Sequence, residues 1–131
     1  MQDLEYYLTK AASYKQAECR RRKLPCDVTF ASLLALYRAQ DGKCALSGRP
    51  LQWGQAGQQR DTLSIDRIEA GQGYVAGNIR LVTYQVNMAR GQFSDDDLVQ
   101  FCRDVLAHAP VSDLERCWQY PVTGVSAGLV M

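Results

Sequence analysis

The sequence predicts an α+β fold with two N-terminal helices, a small ββα core, and a C-terminal helix followed by an apolar tail. Three observations predict it. Apolar residues recur at three- and four-residue spacing near both ends of the chain. Between them, CALSGRPLQW, the Gly/Gln-rich linker GQAGQQRDT and LSIDRI give a hairpin signal with a loop longer than the two-residue kind. A third segment, Thr83 to Arg90, then follows without Gly or Pro, long enough for about two helical turns. The 131 residues fit one domain: a helical basic segment at 1–43, the core at 44–91, and a helix with tail at 92–131.

Each element has its own justification. Leu4 to Lys23 lacks Gly and Pro, and Leu4, Leu8, Ala11, Ala12 and the stem of Lys15 fall at helical spacing. Pro25 closes this helix after the run Arg20-Arg21-Arg22-Lys23. Cations in a last turn complement the helix dipole. Four in succession exceed what capping needs, so the run reads either as a solvated face or as phosphate contacts. Thr29 suits the N-cap of a second helix, Phe30 to Ala39, with Leu33, Leu34, Leu36 and Tyr37 inward. Asp41-Gly42 ends it and turns the chain into Cys44. Ser94 followed by Asp95, Asp96 and Asp97 opens a helix to about His108, with Leu98, Phe101, Val105 and Leu106 inward. His108, the single histidine, sits where a helix dipole favours a cation. After Pro110 the tail mixes aromatic and small residues, and is expected to pack as a strap or short hairpin or to contact a partner.

Composition narrows the class. No apolar run reaches the roughly 18 residues of a membrane span, and MQDLEYYLTK carries acids where a signal peptide would carry bases. Five cysteines without a CxxC pair suit a reduced, intracellular, cytoplasmic protein better than a disulfide framework. Charge is uneven although the net is +1. Residues 1–43 hold eight Lys/Arg against five Asp/Glu, residues 44–91 five against three, and residues 92–131 two against six. Such polarity would orient the chain on a polyanion, and it is also common among ordinary soluble domains.

SIDRI (Ser64 to Ile68), GYVAGNIRLV (Gly73 to Val82) and VNMARG (Val86 to Gly91), preceded by CALSG (Cys44 to Gly48), resemble the HNH, or ββα-metal, endonuclease family. The likeness is greatest to its phage-type branch. The resemblance implies a ββα-metal core with an acidic metal ligand at Asp66 and a helix-borne ligand at Asn87. Carboxylate plus amide oxygen suits Mg²⁺ or Mn²⁺, hard cations that keep several waters. The residues alone also allow Asp66 to pair with Arg67 or Arg80, and Asn87 to bond locally. Asn78 matches the family's middle Asn, which pins the loop to the helix. Many relatives hold a structural zinc between two cysteine pairs. The matching positions here are Cys44, Ser47, Thr83 and Val86, too few N/S ligands for a zinc tetrahedron. No structural zinc is therefore expected, with packing around Leu46, Ile65, Ile79, Leu81 and Val86 in its place and Cys44 a small buried hydrophobe.

Arg67 departs from the family, which places a general-base His directly after the acidic ligand. Arginine cannot take a proton, but it can grip a phosphate bidentately and stabilise developing charge. Metal-bound water, Tyr84 or Tyr74 is then left to supply the base or nucleophile, with packing the simpler reading of Tyr74. Arg20, Arg21, Arg22, Lys23 and Arg90 are the candidate nucleic-acid contacts. The implied function is metal-dependent hydrolysis of DNA phosphodiesters, by nicking or by double-strand cutting. Double-strand cutting would need a homodimer or two events. RNA stays open as a substrate, and no membrane partner is implied. Two other readings compete: a catalytically inactive nucleic-acid-binding module on a degenerate HNH scaffold, and a protein-interaction adaptor.

Overall fold

Helix α1 (Leu4–Arg22) starts where the Asp3 side chain accepts from the Tyr6 N–H, and it ends at Lys23, which adopts a left-handed φ of 55°. The computed structural model describes residues 3–54 and 57–117. Helix α2 (Phe30–Ala39) begins in a reciprocal cap between Thr29 and Ser32, at the boundary that the capping residue predicts. Asp41 and Gly42 both take positive φ to turn the chain. A Cβ on Gly42 would lie 2.9 Å from the Tyr37 hydroxyl, so the turn also needs the missing side chain.

The sheet has two antiparallel strands, β1 (Leu63–Arg67) and β2 (Ile79–Thr83). This corrects the expected hairpin: LSIDR pairs with IRLVT across residues 68–78, not with CALSGRPLQW across GQAGQQRDT. The earlier segment makes only isolated bridges, Lys43 with Pro50 and Gln52 with Thr62. Pro50, which lacks an N–H, interrupts any ladder there. Asp66 is thus on the first strand of the pair. The outer edge of β2 is covered by Gln40, whose side chain accepts from the Leu81 N–H and donates to the Leu81 carbonyl.

Register divides the sheet into two faces. Leu63, Ile65 and Arg67 share one face with Thr83, Leu81 and Ile79; Ser64 and Asp66 share the other with Val82 and Arg80. Ile65 and Leu81 join Leu8 and Ala12 of α1 and Leu33 of α2 in the core. Leu46, expected there, is 37 % exposed. The opposite face carries helix α3 (Tyr84–Arg90), capped by the Thr83 hydroxyl. The strand therefore runs straight into the helix, and residues of β1 and α3 come together.

Helix α4 (Asp95–His108) opens with the Ser94–Asp97 capping box. It buries none of its residues: Phe101 and Val105 are more than half exposed, where an inward face was expected. Val111–Cys117 forms a short helix, α5, at the start of the expected strap. Residues 118–131 of the tail lie outside the described residues. No described helix is long and apolar enough to cross a membrane.

Candidate functional site

Asp66 sits where β1, β2, α3 and the start of α4 converge. It is 5 % exposed. Opposite it in register, Arg80 donates Nε to Asp66 Oδ2 at 2.9 Å and reaches Asp95 with both terminal nitrogens, at 2.7 and 2.6 Å. From α3, Arg90 places Nη1 3.1 Å from both Asp66 oxygens and 2.8 Å from the Arg67 carbonyl, with Nη2 on the Ile68 carbonyl. Arg90 Nε is 3.0 Å from Asp95 Oδ1, an ionic contact too poorly aligned for a hydrogen bond. Two carboxylates and two guanidiniums thus form a neutral quartet that fastens α4 to the ββα unit. Asp95, held first by the Arg80 hydrogen bonds, titrates below the usual carboxylate range despite partial burial; Arg80 is raised in turn, chiefly by Asp95.

Arg90 is therefore no surface contact. At 3 % exposure it is a buried structural cation, which corrects its expected place among the nucleic-acid ligands. Asp95 was read only as part of a helix start. No sequence signal pointed to Asp95; only Arg80 was open to the sequence, as one of two alternative partners of Asp66.

On the same face, Asn87 donates Nδ2 to Ser64 Oγ at 2.6 Å. Its amide oxygen has no partner among the described residues. Asp66 Oδ2 is doubly engaged, whereas Oδ1 takes only half of the bifurcated contact from Arg90. A carboxylate offers about four lone-pair directions, so Oδ1 keeps capacity. No group of three His, Cys, Asp or Glu suited to a metal occurs among the described residues. A hard divalent cation, however, needs only one or two protein oxygens beside water. Asp66 Oδ1 and the Asn87 amide oxygen are the oxygen donors this face offers such an ion.

Arg67 lies elsewhere. As the strand neighbour of Asp66, it points to the other face. Its Nη1 donates to the Gln72 carbonyl at 3.0 Å, and its guanidinium lies 5.1 Å from the Tyr74 ring centroid. Lys15 Nζ is 4.5 Å from the same centroid and 2.6 Å from Glu18. Tyr74 is buried, 7 % exposed, between these cations. Tyr84 is half-buried at the first position of α3, one turn before Asn87.

Asn78 accepts from the Glu69 N–H and donates to the Glu69 and Gly73 carbonyls. It pins the 68–78 connection to itself rather than to the helix. Gly73 permits the close approach of this loop to the α1–α2 link, since a Cβ there would lie 2.4 Å from the Pro25 carbonyl oxygen. The zinc-pair positions do converge: Cys44 Sγ accepts from the Ser47 and Thr83 N–H groups, both at 3.4 Å, and Thr83 Oγ1 caps α3. Burial raises the Cys44 pKa, but hydrogen bonds from Ser47, Leu46 and Thr83 outweigh it and hold the thiol below its ordinary range. Cys44 is thus a buried acceptor as well as a small apolar group. Arg20, Arg21, Arg22 and Lys23 are exposed, with Arg22 4.0 Å from Glu18.

The fold is HNH-like. A solved structure of the rare-cutting HNH restriction endonuclease PacI matches it with a TM-score of 0.53 over 86 % of this chain and 77 % of that one, at 21 % identity. No family model and no curated protein matches the sequence.

Proposed function

We propose that this protein is an HNH-type nuclease that hydrolyses DNA phosphodiester bonds. The observation that carries the reading is the common face of Asp66 and Asn87 at the β1–α3 junction of an HNH-like fold. These two residues would hold Mg²⁺ or Mn²⁺, which supplies Lewis-acid stabilisation and a more acidic bound water when present. Ser64 orients Asn87 by accepting its Nδ2 proton. Arg67 keeps Nε and Nη2 without partners among the described residues, and these bind a substrate phosphate oxygen as charge develops. Tyr84 lies on the helical face it shares with Asn87, where its phenol would hydrogen-bond the water that attacks the phosphorus. Cutting both strands requires a second copy or a second event.

One observation favours a second reading. Asp66 is already neutralised by Arg80 and Arg90, which suits a nucleic-acid-binding module that does not cut. Incubating supercoiled plasmid with the full chain and Mg²⁺ or Mn²⁺, against EDTA and against an RNA of matched length, decides between them. Metal-dependent nicking or linearisation supports the nuclease. DNA binding without cleavage under any divalent metal supports the module.

A further inference from the structure

Beside the candidate centre, α1 and the outer edge of β1 enclose a groove of about 380 Å³. Tyr7, Lys10, Tyr14 and Lys15 line its helical wall, and Gln58 and Ser64 its other side. No described lining residue is acidic. Tyr6, Lys10 and Tyr14 repeat every four residues on one stripe of α1, and Lys10 and Tyr14 of that stripe line the groove. Tyr14 is 67 % exposed and Tyr6 52 %, with Lys10 Nζ 5.3 Å from the Tyr6 ring centroid. Scattered exposed aromatics are ordinary on a protein surface. An exposed tyrosine in register with a lysine, both lining a groove with no carboxylate among its described residues, is a more specific pattern. The groove is also tied to the site at both ends: Ser64 holds Asn87, and Lys15 shares the Tyr74 ring with Arg67.

We infer that this groove is the track for a single-stranded stretch of nucleic acid entering the centre, an inference that rests on the nuclease reading. Tyr14 stacks on an unpaired base, which every base permits through its π-face. Lys10 meets a backbone phosphate, and Arg67 receives the next part of the strand at the end of β1. Lys15 contributes less charge, because Glu18 already pairs with it. A closed duplex hides its base faces, so the stacking contribution belongs to single-stranded or locally opened substrate.

The test is fluorescence anisotropy of the full chain with a labelled single-stranded oligonucleotide and with its duplex, in EDTA so that nothing is cut. Tyr14→Ala should weaken single-strand binding about tenfold, within the range for losing one stacked base. Tyr14→Phe, which keeps the ring, should bind like wild type. Lys10→Gln should flatten the dependence of log K on log salt by about 0.7, one single-strand phosphate contact. Unchanged binding by Tyr14→Ala, or equal losses on single strand and duplex, overturns the track while leaving the nuclease reading standing. A wild-type chain that binds neither form in EDTA, and cuts neither once Mg²⁺ or Mn²⁺ is supplied, removes both. The substituted side chains are exposed, and an unchanged melting temperature excludes misfolding as the cause.

Discussion

Replacing Asp66 by Ala should cost stability as well as any activity. The carboxylate is buried and accepts from two arginines, one of them only 3 % exposed. Breaking a buried ion pair from one side costs about 3–5 kcal/mol, because the surviving charge is left uncompensated. Here the loss falls at the low end, about 3 kcal/mol. Arg80 keeps both of its bonds to Asp95, and Arg90 keeps the carbonyls of Arg67 and Ile68. That is a large part of the roughly 5–15 kcal/mol that holds a domain folded. Urea unfolding followed by far-ultraviolet circular dichroism measures it. A change below about 0.5 kcal/mol, the range of ordinary surface substitutions, would refute the quartet's structural role. The consequence for function is direct: inactivity of Asp66→Ala cannot by itself identify a metal ligand. Asn87→Ala is the cleaner probe, since it removes one half-buried hydrogen bond to Ser64, worth about 0.5–1.5 kcal/mol. Loss of metal-dependent cleavage in a fully folded Asn87→Ala chain would identify the ligand.

Arg67→Ala should lower the cleavage rate by about 10²–10³, the scale of losing one electrostatic donor, and Arg67→Lys should recover only part of it for want of the planar fork. Arg67→His restores the family's base; retained or increased plasmid cleavage supports HNH-type geometry, and cleavage only by this variant makes the wild type a binding module. Replacing Arg20, Arg21, Arg22 and Lys23 together by Gln should flatten the salt dependence of duplex binding by about 0.9 per lost phosphate contact; an unchanged slope assigns the run to solvent and helix capping. Asp61 is held below the usual carboxylate range first by its hydrogen bonds from Arg49, against partial burial. Its contribution to stability is therefore complete above the unfolded-state value near 3.9 and is lost as pH falls through the depressed folded value. Asp61→Asn should remove that part of the acid dependence, read from melting temperatures between neutral and strongly acid pH; identical pH profiles would contradict it.

What was legible in the sequence was local. Thr29, Ser94 and the Asp41-Gly42 turn place helix ends because a cap or a positive φ is decided within three or four residues. Strand pairing was less legible. LSIDR finds IRLVT only through the 68–78 connection, whose closure depends on Asn78 bonding across nine residues to Glu69. The surroundings of Asp66 were least legible. Arg80, Arg90 and Asp95 come from three different elements, and only Arg80 had a sequence signal, as one of two alternative partners.

The pair Asp66-Arg67 shows why a motif adjacent in sequence need not be one site. Neighbours on a strand face opposite ways, so Asp66 joins α3 while Arg67 joins Tyr74 and Lys15. One substrate phosphate can meet both only at the end of β1, where Arg67 is the last residue and the sheet no longer separates its faces. A strand that reaches this point along the α1 groove passes Lys10 and Lys15 before Arg67, and Ser64 before Asn87. The division of the motif across the sheet then becomes a reason for the substrate to wrap the strand end. On the nuclease reading, an arginine, whose reach exceeds that of histidine, would still meet a phosphate at this position.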